Sequence, residues 1–448
     1  MKMINKLSFD INKLQEISQD ILHEAARLGA SQAEVGIGTN KGFSIGARGG
    51  DVETVEYHQD KTVDVTVFFG KRMGSARFSD LTGDAIRAAV EAACHIAKFT
   101  DEDPAAGLAD KSELAFHYPP MDLAYPWGIS VEEAITLACQ CEQEALAYDK
   151  RIMSAEDIRI ATIEAFGLHA NSYGFMGCFP YTRHEISCVL IAKENNEMQR
   201  DYSYTTACDA NELESVSLIA KQAAEKSIRR LGARRLSTMK TPVIYIAEEA
   251  RGLLGSFAAA IQGGSLYRKA SFLLDHLNKK IFPDFIHIEE QPHLPRALGS
   301  APFDDDGVAT RPNVFIENGV LQQYSLGVYS ARKLGMKTTG NAGGMHNFII
   351  RPGTKDLAAL LKTMDKGLLI TEMMGQGVNL VTGDYSRGVT GFWIEHGDIQ
   401  YPVHEITVAG KLQDIYKKIV EVGNDIDVRG NIRTGSLFIE EMMVAGAE

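Results

Sequence analysis

Three His-Glu dipeptides are the residues best suited to hold a metal: His23-Glu24, His184-Glu185 and His404-Glu405. Two histidines on adjacent helical turns, with a glutamate beside the first, hold Zn²⁺ and activate its bound water. The second histidine would fall four or five residues after the first. Those places hold Arg27 and Leu28, Cys188 and Val189, and Val408 and Ala409, so no pair is completed. His184 and Cys188 would share a face on a helix, but the neighbouring Ile186, Val189 and Ile191 read as a strand, where they sit two pleats apart. A satisfied structural histidine is the expectation there.

Other chemistry is equally unsupported. There is no Gly-x-Ser-x-Gly nucleophile elbow. Ser265 and Ser386 sit in Gly-rich stretches without a histidine nearby in sequence, which reads as loops needing positive φ. No phosphate-binding Gly-x-x-x-x-Gly-Lys-Ser/Thr occurs, and Gly340-Asn341-Ala342-Gly343-Gly344 lacks the strand-to-helix spacing of a dinucleotide site. What remains is a set of Gly-rich polar turns at 263–269, 338–347 and 382–391. They suit contact with an extended peptide whose main chain pairs with an open strand. They equally suit tight corners of a barrel or sandwich with no ligand.

The chain of 448 residues is 45% hydrophobic with a net charge of −13, as expected of a globular protein of two or three domains. That charge repels phosphate backbones and argues against nucleic acid as a direct partner. The densest basic segments, Arg229-Arg230 and Arg234-Arg235, read as the solvated end of a helix. Six scattered cysteines without a Cys-x-x-Cys pair fit a reducing cytoplasm. Met1–Lys6 leads into polar residues without an apolar signal core. No apolar run approaches the roughly 20 residues that span a bilayer, so no membrane partner is expected.

The elements that would position any site read as α+β. An amphipathic helix over 11–28 precedes short strands at 33–38, 42–47, 52–58, 62–69 and 75–78, then a helix at 83–98. Residues 101–129, rich in Asp, Pro and Gly, read as a long surface excursion. Ser130 and Glu133 form a capping-box start for a helix to about 148. Strands at 158–166, 167–171 and 184–193 and a helix over 212–231 follow, a weak echo of the first helix–strands–helix order. A linker at 234–242 divides residues 1–235, with helices packed on a sheet, from a β-rich 236–448 with a few helices. Within the latter, Asn318-Gly319 and His396-Gly397-Asp398 mark hairpins, and short helices fit 356–366 and 411–421.

Over nearly its whole length the chain resembles the TldD/PmbA family, on its PmbA (TldE) side. The resemblance is carried by Arg235–Lys240, Gly263–Lys269, Tyr329–Gly335, Met374–Val378, Thr382–Gly388 and Val422–Ile426. It implies a two-subunit cytoplasmic metalloprotease acting in proteolysis and peptide maturation, including small peptide precursors and antitoxins. An older family label, modulator of DNA gyrase, fits poorly with the acidic charge. TldD-type subunits carry His-Glu-x-x-x-His and a later cysteine around one zinc. The matching positions here are Ala247, Glu248 and Gly252, with Thr434 at the cysteine's place. The resemblance thus implies that this chain has no cofactor and no catalytic residue, and that zinc belongs to a TldD-like partner subunit. A substrate cleft for unfolded peptide is expected around Glu248, Tyr267, Arg268, His346, Asp384, Tyr385, Ser386 and Arg387. The alternatives are a homodimeric peptide-binding or scaffolding protein without proteolysis, and a peptidase with a recruited metal.

Overall fold

The structure is a computed structural model and describes residues 10–446. The Met1–Lys6 segment lies outside the described residues. Helix α1 (Ile11–Arg27) starts at Asp10, whose carboxylate accepts from the Lys13 N–H, and buries Leu14, Ile17, Ile21 and Ala25. Three antiparallel strands follow, β1 (Gln32–Arg48), β2 (Asp51–Phe69) and β3 (Arg72–Phe78), then α2 (Gly83–Phe99). The same order recurs with α3 (Val131–Tyr148), β4 (Ile152–Asn171), β5 (Met176–Glu194), β6 (Glu197–Ala207) and α4 (Val216–Arg229). The expected capping box of Ser130 and Glu133 starts α3.

The six strands form one sheet, ordered β3-β2-β1-β4-β5-β6, with the first strands of the two halves paired antiparallel at its centre. Alternation puts Val35, Ile37, Ile160, Ile186 and their neighbours under the helices, in two apolar clusters that both draw on β1 and β4. The opposite sheet face is left to the rest of the chain. Strands expected as two short pieces each are continuous here, because pairing runs on through polar positions such as Asn40↔Asp60 and Lys41↔Gln59.

Residues 101–129 have little regular structure, yet they are not a surface excursion. Ala105, Ala106, Leu108, Leu114, Ala115 and Leu123 are buried, and Arg332 donates to the carbonyls of Ala105, Gly107 and Leu108. The segment straps the first half of the chain to the second. The basic cluster also departs from expectation: Arg230 is 11% exposed and ion-pairs Asp201 at 3.4 Å and Glu372 at 2.6 Å.

The remainder begins with β7 (Met239–Tyr245), α5 (Ala247–Ala260) and the short α6 (Gly263–Tyr267). Next come β8 (Ile288–Glu290), β9 (Asn313–Glu317), β10 (Val320–Leu321), α7 (Val328–Lys333), β11 (Phe348–Ile350) and α8 (Leu357–Met364). The chain ends with β12 (Gly367–Met374), β13 (Val378–Asn379), β14 (Asp384–Glu395), β15 (Asp398–Lys411), α9 (Leu412–Lys417), β16 (Ile419–Val422), β17 (Ile432–Arg433) and β18 (Leu437–Ala445). Strand β12 pairs with both β7 and β14, so the ring β12-β7-β18-β15-β14 closes on itself. Around α5 lies the largest apolar cluster, with Phe257 edge-on to Phe282 and Tyr416. The whole is a mixed α+β fold with a β-rich C-terminal region. Among the described residues no helix is long and apolar enough to cross a membrane.

Candidate functional site

The decisive place is the junction where β7 ends at Tyr245 and α5 begins. Ile246 is the N-cap without a side-chain hydrogen bond, so the first turn relies on Glu248 and Glu249 to complement the helix dipole. Glu248 is already engaged. Its carboxylate accepts from the Tyr202 hydroxyl at 2.8 Å and from the Arg429 guanidinium at 3.0 Å, and Lys226 Nζ stands 3.7 Å away. Arg429 donates further to both Asp427 oxygens and to the Tyr204 carbonyl, and lies over the Tyr204 ring at 4.3 Å. Arg251 adds a hydrogen bond to the Tyr204 hydroxyl and stands 3.5 Å from Asp427.

Burial would raise the Asp427 carboxyl, but hydrogen bonds from Arg429 override it and hold the group below its ordinary value. Burial, with Glu248 beside it, pushes the Tyr202 phenol up, so it stays a donor. Burial first, and then repulsion from Glu248, pushes Glu249 up to about 7.

The positions that the resemblance matched to metal ligands are close to this network. Ala247 offers a methyl group. At Gly252 a Cβ would come within 2.6 Å of the Met373 methyl, so a thioether side chain occupies the space beside it. Thr434 is fully buried, donates its hydroxyl to the Gly435 carbonyl at 2.8 Å, and bridges by backbone to Asp427.

Glu248 lines a cleft of about 610 Å³ between β6, α4 and the 425–429 loop. Arg429 is shared with a second cleft of about 560 Å³, flanked by Gly343–His346 and Gly299. That cleft shares Phe179, Tyr181 and His346 with a third of about 500 Å³ on the open face of the sheet. The three adjoin one another through these shared residues, and together they are called the groove.

Models of PmbA/TldA metallopeptidase domain 1, central domain and C-terminal domain match residues 33–97, 124–231 and 238–446. The chain is 46% identical to metalloprotease PmbA of Escherichia coli O157:H7, covering 100% of this chain and 99% of that one. It belongs to the PmbA/TldD family. A crystal structure from Bacteroides thetaiotaomicron, described as a candidate modulator of DNA gyrase, is 27% identical with a TM-score of 0.92, covering 98% of this chain and 100% of that one. TldE from Thermococcus kodakarensis shares the fold at a TM-score of 0.84 and 19% identity, covering 96% and 100%.

Within this PmbA/TldD fold the expected cleft residues are scattered. Glu248 and His346 line the groove. Tyr267 and Arg268 do not: 263–269 is no open loop but the helical turn α6, set against Ser330, with Tyr267 edge-on to Tyr329. Neither Gly263 nor Gly264 has positive φ there. Asp384 pairs with Lys411 at 2.6 Å at the surface, Ser386 is exposed, and Arg387 donates to the Met374 carbonyl. Tyr385 is buried behind Met373, its hydroxyl 3.1 Å from the sulfur. His184 is the structural histidine expected, with Thr162 Oγ1 and the Tyr125 carbonyl each 2.8 Å from a ring nitrogen. Sequence reasoning missed Tyr202, Lys226, Asp427 and Arg429. The signal was near at hand, since Asp427 and Arg429 directly follow the matched segment Val422–Ile426.

Proposed function

We propose that this chain is the zinc-free subunit of a TldD/PmbA-type peptidase, whose groove holds an unfolded peptide for the zinc of a TldD-like partner. The observation that carries the reading is the state of Glu248. A zinc site needs three neutral or anionic donors with a free lone pair. The matched positions supply a methyl, a hydrogen and a buried hydroxyl turned to a backbone carbonyl, while the one carboxylate faces a guanidinium and an ammonium. This donor set does not fit zinc. Arg429 and Lys226 place positive charge beside the carboxylate and occupy its oxygens.

The groove supports the peptide-holding half of the reading. Its walls combine exposed backbone at Gly343–Gly344, aromatic faces at Phe179 and Tyr181, and charged side chains at its far end. An extended chain in it would run past the Arg429 network, within a water-reduced cavity that the partner completes.

The test is assembly and metal content. The purified chain is mixed with a homologue that retains both histidines, and the mixture is followed by sedimentation and zinc analysis. A heteromer with one zinc per pair, and no tightly bound zinc in this chain alone, is expected. A stable homodimer that ignores the homologue would favour the scaffolding alternative. Stoichiometric tight zinc in this chain alone would overturn the reading of Ala247, Gly252 and Thr434.

A further inference from the structure

The third cleft of the groove has features that holding a peptide backbone does not require. Its floor is the open face of the sheet, where Gly38 of β1 lies directly opposite Gly167 of β4, with Gly36 beside them. A Cβ at Gly38 or Gly167 would meet nothing within 4 Å, and neither residue has positive φ. The backbone therefore does not demand glycine at either position. Glycine inside a strand forgoes packing and β-propensity, and often marks a surface that something else approaches closely.

The walls are acidic. Glu34, Asp64, Asp304 and Asp305 line the cleft, and no Lys or Arg does. Two of these carboxylates have other duties: Asp304 accepts three backbone N–H bonds, from Asp306, Val308 and Ala342, and Asp64 pairs with Arg77. Glu34 and Asp305 have no Lys or Arg within 4 Å among the described residues. His169 lies beside Glu34, with its Nε2 3.9 Å from the carboxylate. That imidazole is 9% exposed and its Nε2 has no hydrogen-bond partner. Burial holds the ring down to about 4, so it is neutral and can accept a hydrogen bond. Phe179, Phe303 and Tyr181 supply aromatic surface at the rim.

We propose that this glycine-floored pocket takes the cationic side chain, lysine or arginine, of the peptide held in the groove. The proposal rests on the peptide-holding reading above and names a substrate feature within it. Asp305 supplies countercharge, Glu34 releases its proton to solvent as the cation enters and adds a second negative charge, His169 Nε2 accepts an N–H, and the aromatic rim covers the aliphatic stem and faces the cation. An organic cation fits better than a metal ion. The cavity is about 500 Å³, and among the described residues no three His, Cys, Asp or Glu side chains converge to hold a metal.

The test uses the full chain and three fluorescent unstructured peptides, identical except for lysine, glutamine or glutamate at one central position. Anisotropy titrations should show the lysine peptide binding about tenfold tighter than the glutamine peptide, as expected of one partly desolvated charge contact, with the glutamate peptide weakest. The preference should disappear in Glu34→Gln with Asp305→Asn. It should also disappear in Gly167→Val, which fills the floor and leaves the thermal midpoint unchanged or raised. Equal binding of lysine and glutamine peptides by the native chain overturns the pocket assignment but leaves the peptide-holding reading intact. Failure of all three to bind overturns both. Tight binding of Mn²⁺ or Zn²⁺ that Glu34→Gln abolishes would give the pocket to a metal ion and overturn the proposal.

Discussion

Arg429 carries more of the site's energetics than any other single side chain, because it satisfies Glu248, Asp427 and the Tyr204 carbonyl at once. Removing one member of a partly buried charge network leaves the others desolvated and unpaired, which costs about 3 kcal/mol. Arg429→Ala should lower unfolding stability by about that amount in urea titrations. Arg429→Lys should recover less than half of it, since an ammonium cannot reproduce the planar fork. Glu34 gives a second prediction at this scale. Burial, with Asp306 and Asp304 nearby, pushes its carboxyl from 4.5 up to about 8. The folded chain then keeps a proton that the unfolded chain has released. The associated stability is complete below the unfolded value and is lost as pH rises towards 8. The thermal midpoint should fall between pH 5 and pH 8, and Glu34→Gln should flatten that fall; parallel curves would contradict the assignment. The reading of Ala247 and Gly252 as replaced ligands comes from the family resemblance alone. The network that stands beside them was not legible in the sequence, because Glu248 meets Arg429 across 181 residues and no local spacing encodes that contact.

At the scale of elements, the long helices were legible, while the short helices α6 and α7 and the full length of the strands were not. Apolar positions at helical spacing mark α1, and the Ser130 cap marks the start of α3. The strands β1 and β2 are interrupted by polar residues on both faces, which look like turns when read locally. Their pairing is settled by the partner strand, with Asn40 opposite Asp60, and single-strand patterns carry no such information. The glycines of 263–269 read in sequence as a turn needing positive φ, yet one serves close packing. A Cβ at Gly263 would lie 2.2 Å from Ser330 Oγ and 2.4 Å from its Cβ. Gly263→Ala should therefore separate α6 from α7 and destabilise the chain by about 1–3 kcal/mol, measured by calorimetry. An unchanged midpoint would mean that the contact relaxes freely.

For the whole molecule, the α+β class and the β-rich second half were foreseen, while the groove was not. It is assembled from the open face of the six-stranded sheet, the 299–305 and 343–346 loops, and the 425–431 segment, parts far apart in the chain. We propose the boundary between the two halves at residues 235 and 236. The segment there is itself tied down, with Arg234 bridged by backbone to Val403 and lying 4.4 Å over the Tyr401 ring. The strap at 101–129 and the Arg332 contacts bind the halves further, so a rigid groove is expected rather than two hinged bodies. Such a groove suits a subunit that positions a substrate and leaves the chemistry to another. The most direct measurement is cleavage of an unstructured peptide by the full chain with zinc present, alone and mixed with its histidine-bearing homologue. Cleavage by the mixture is expected, with none by this chain alone and slower cleavage when Arg429→Ala replaces the native chain. Chelator-sensitive cleavage by this chain alone would contradict the zinc-free reading.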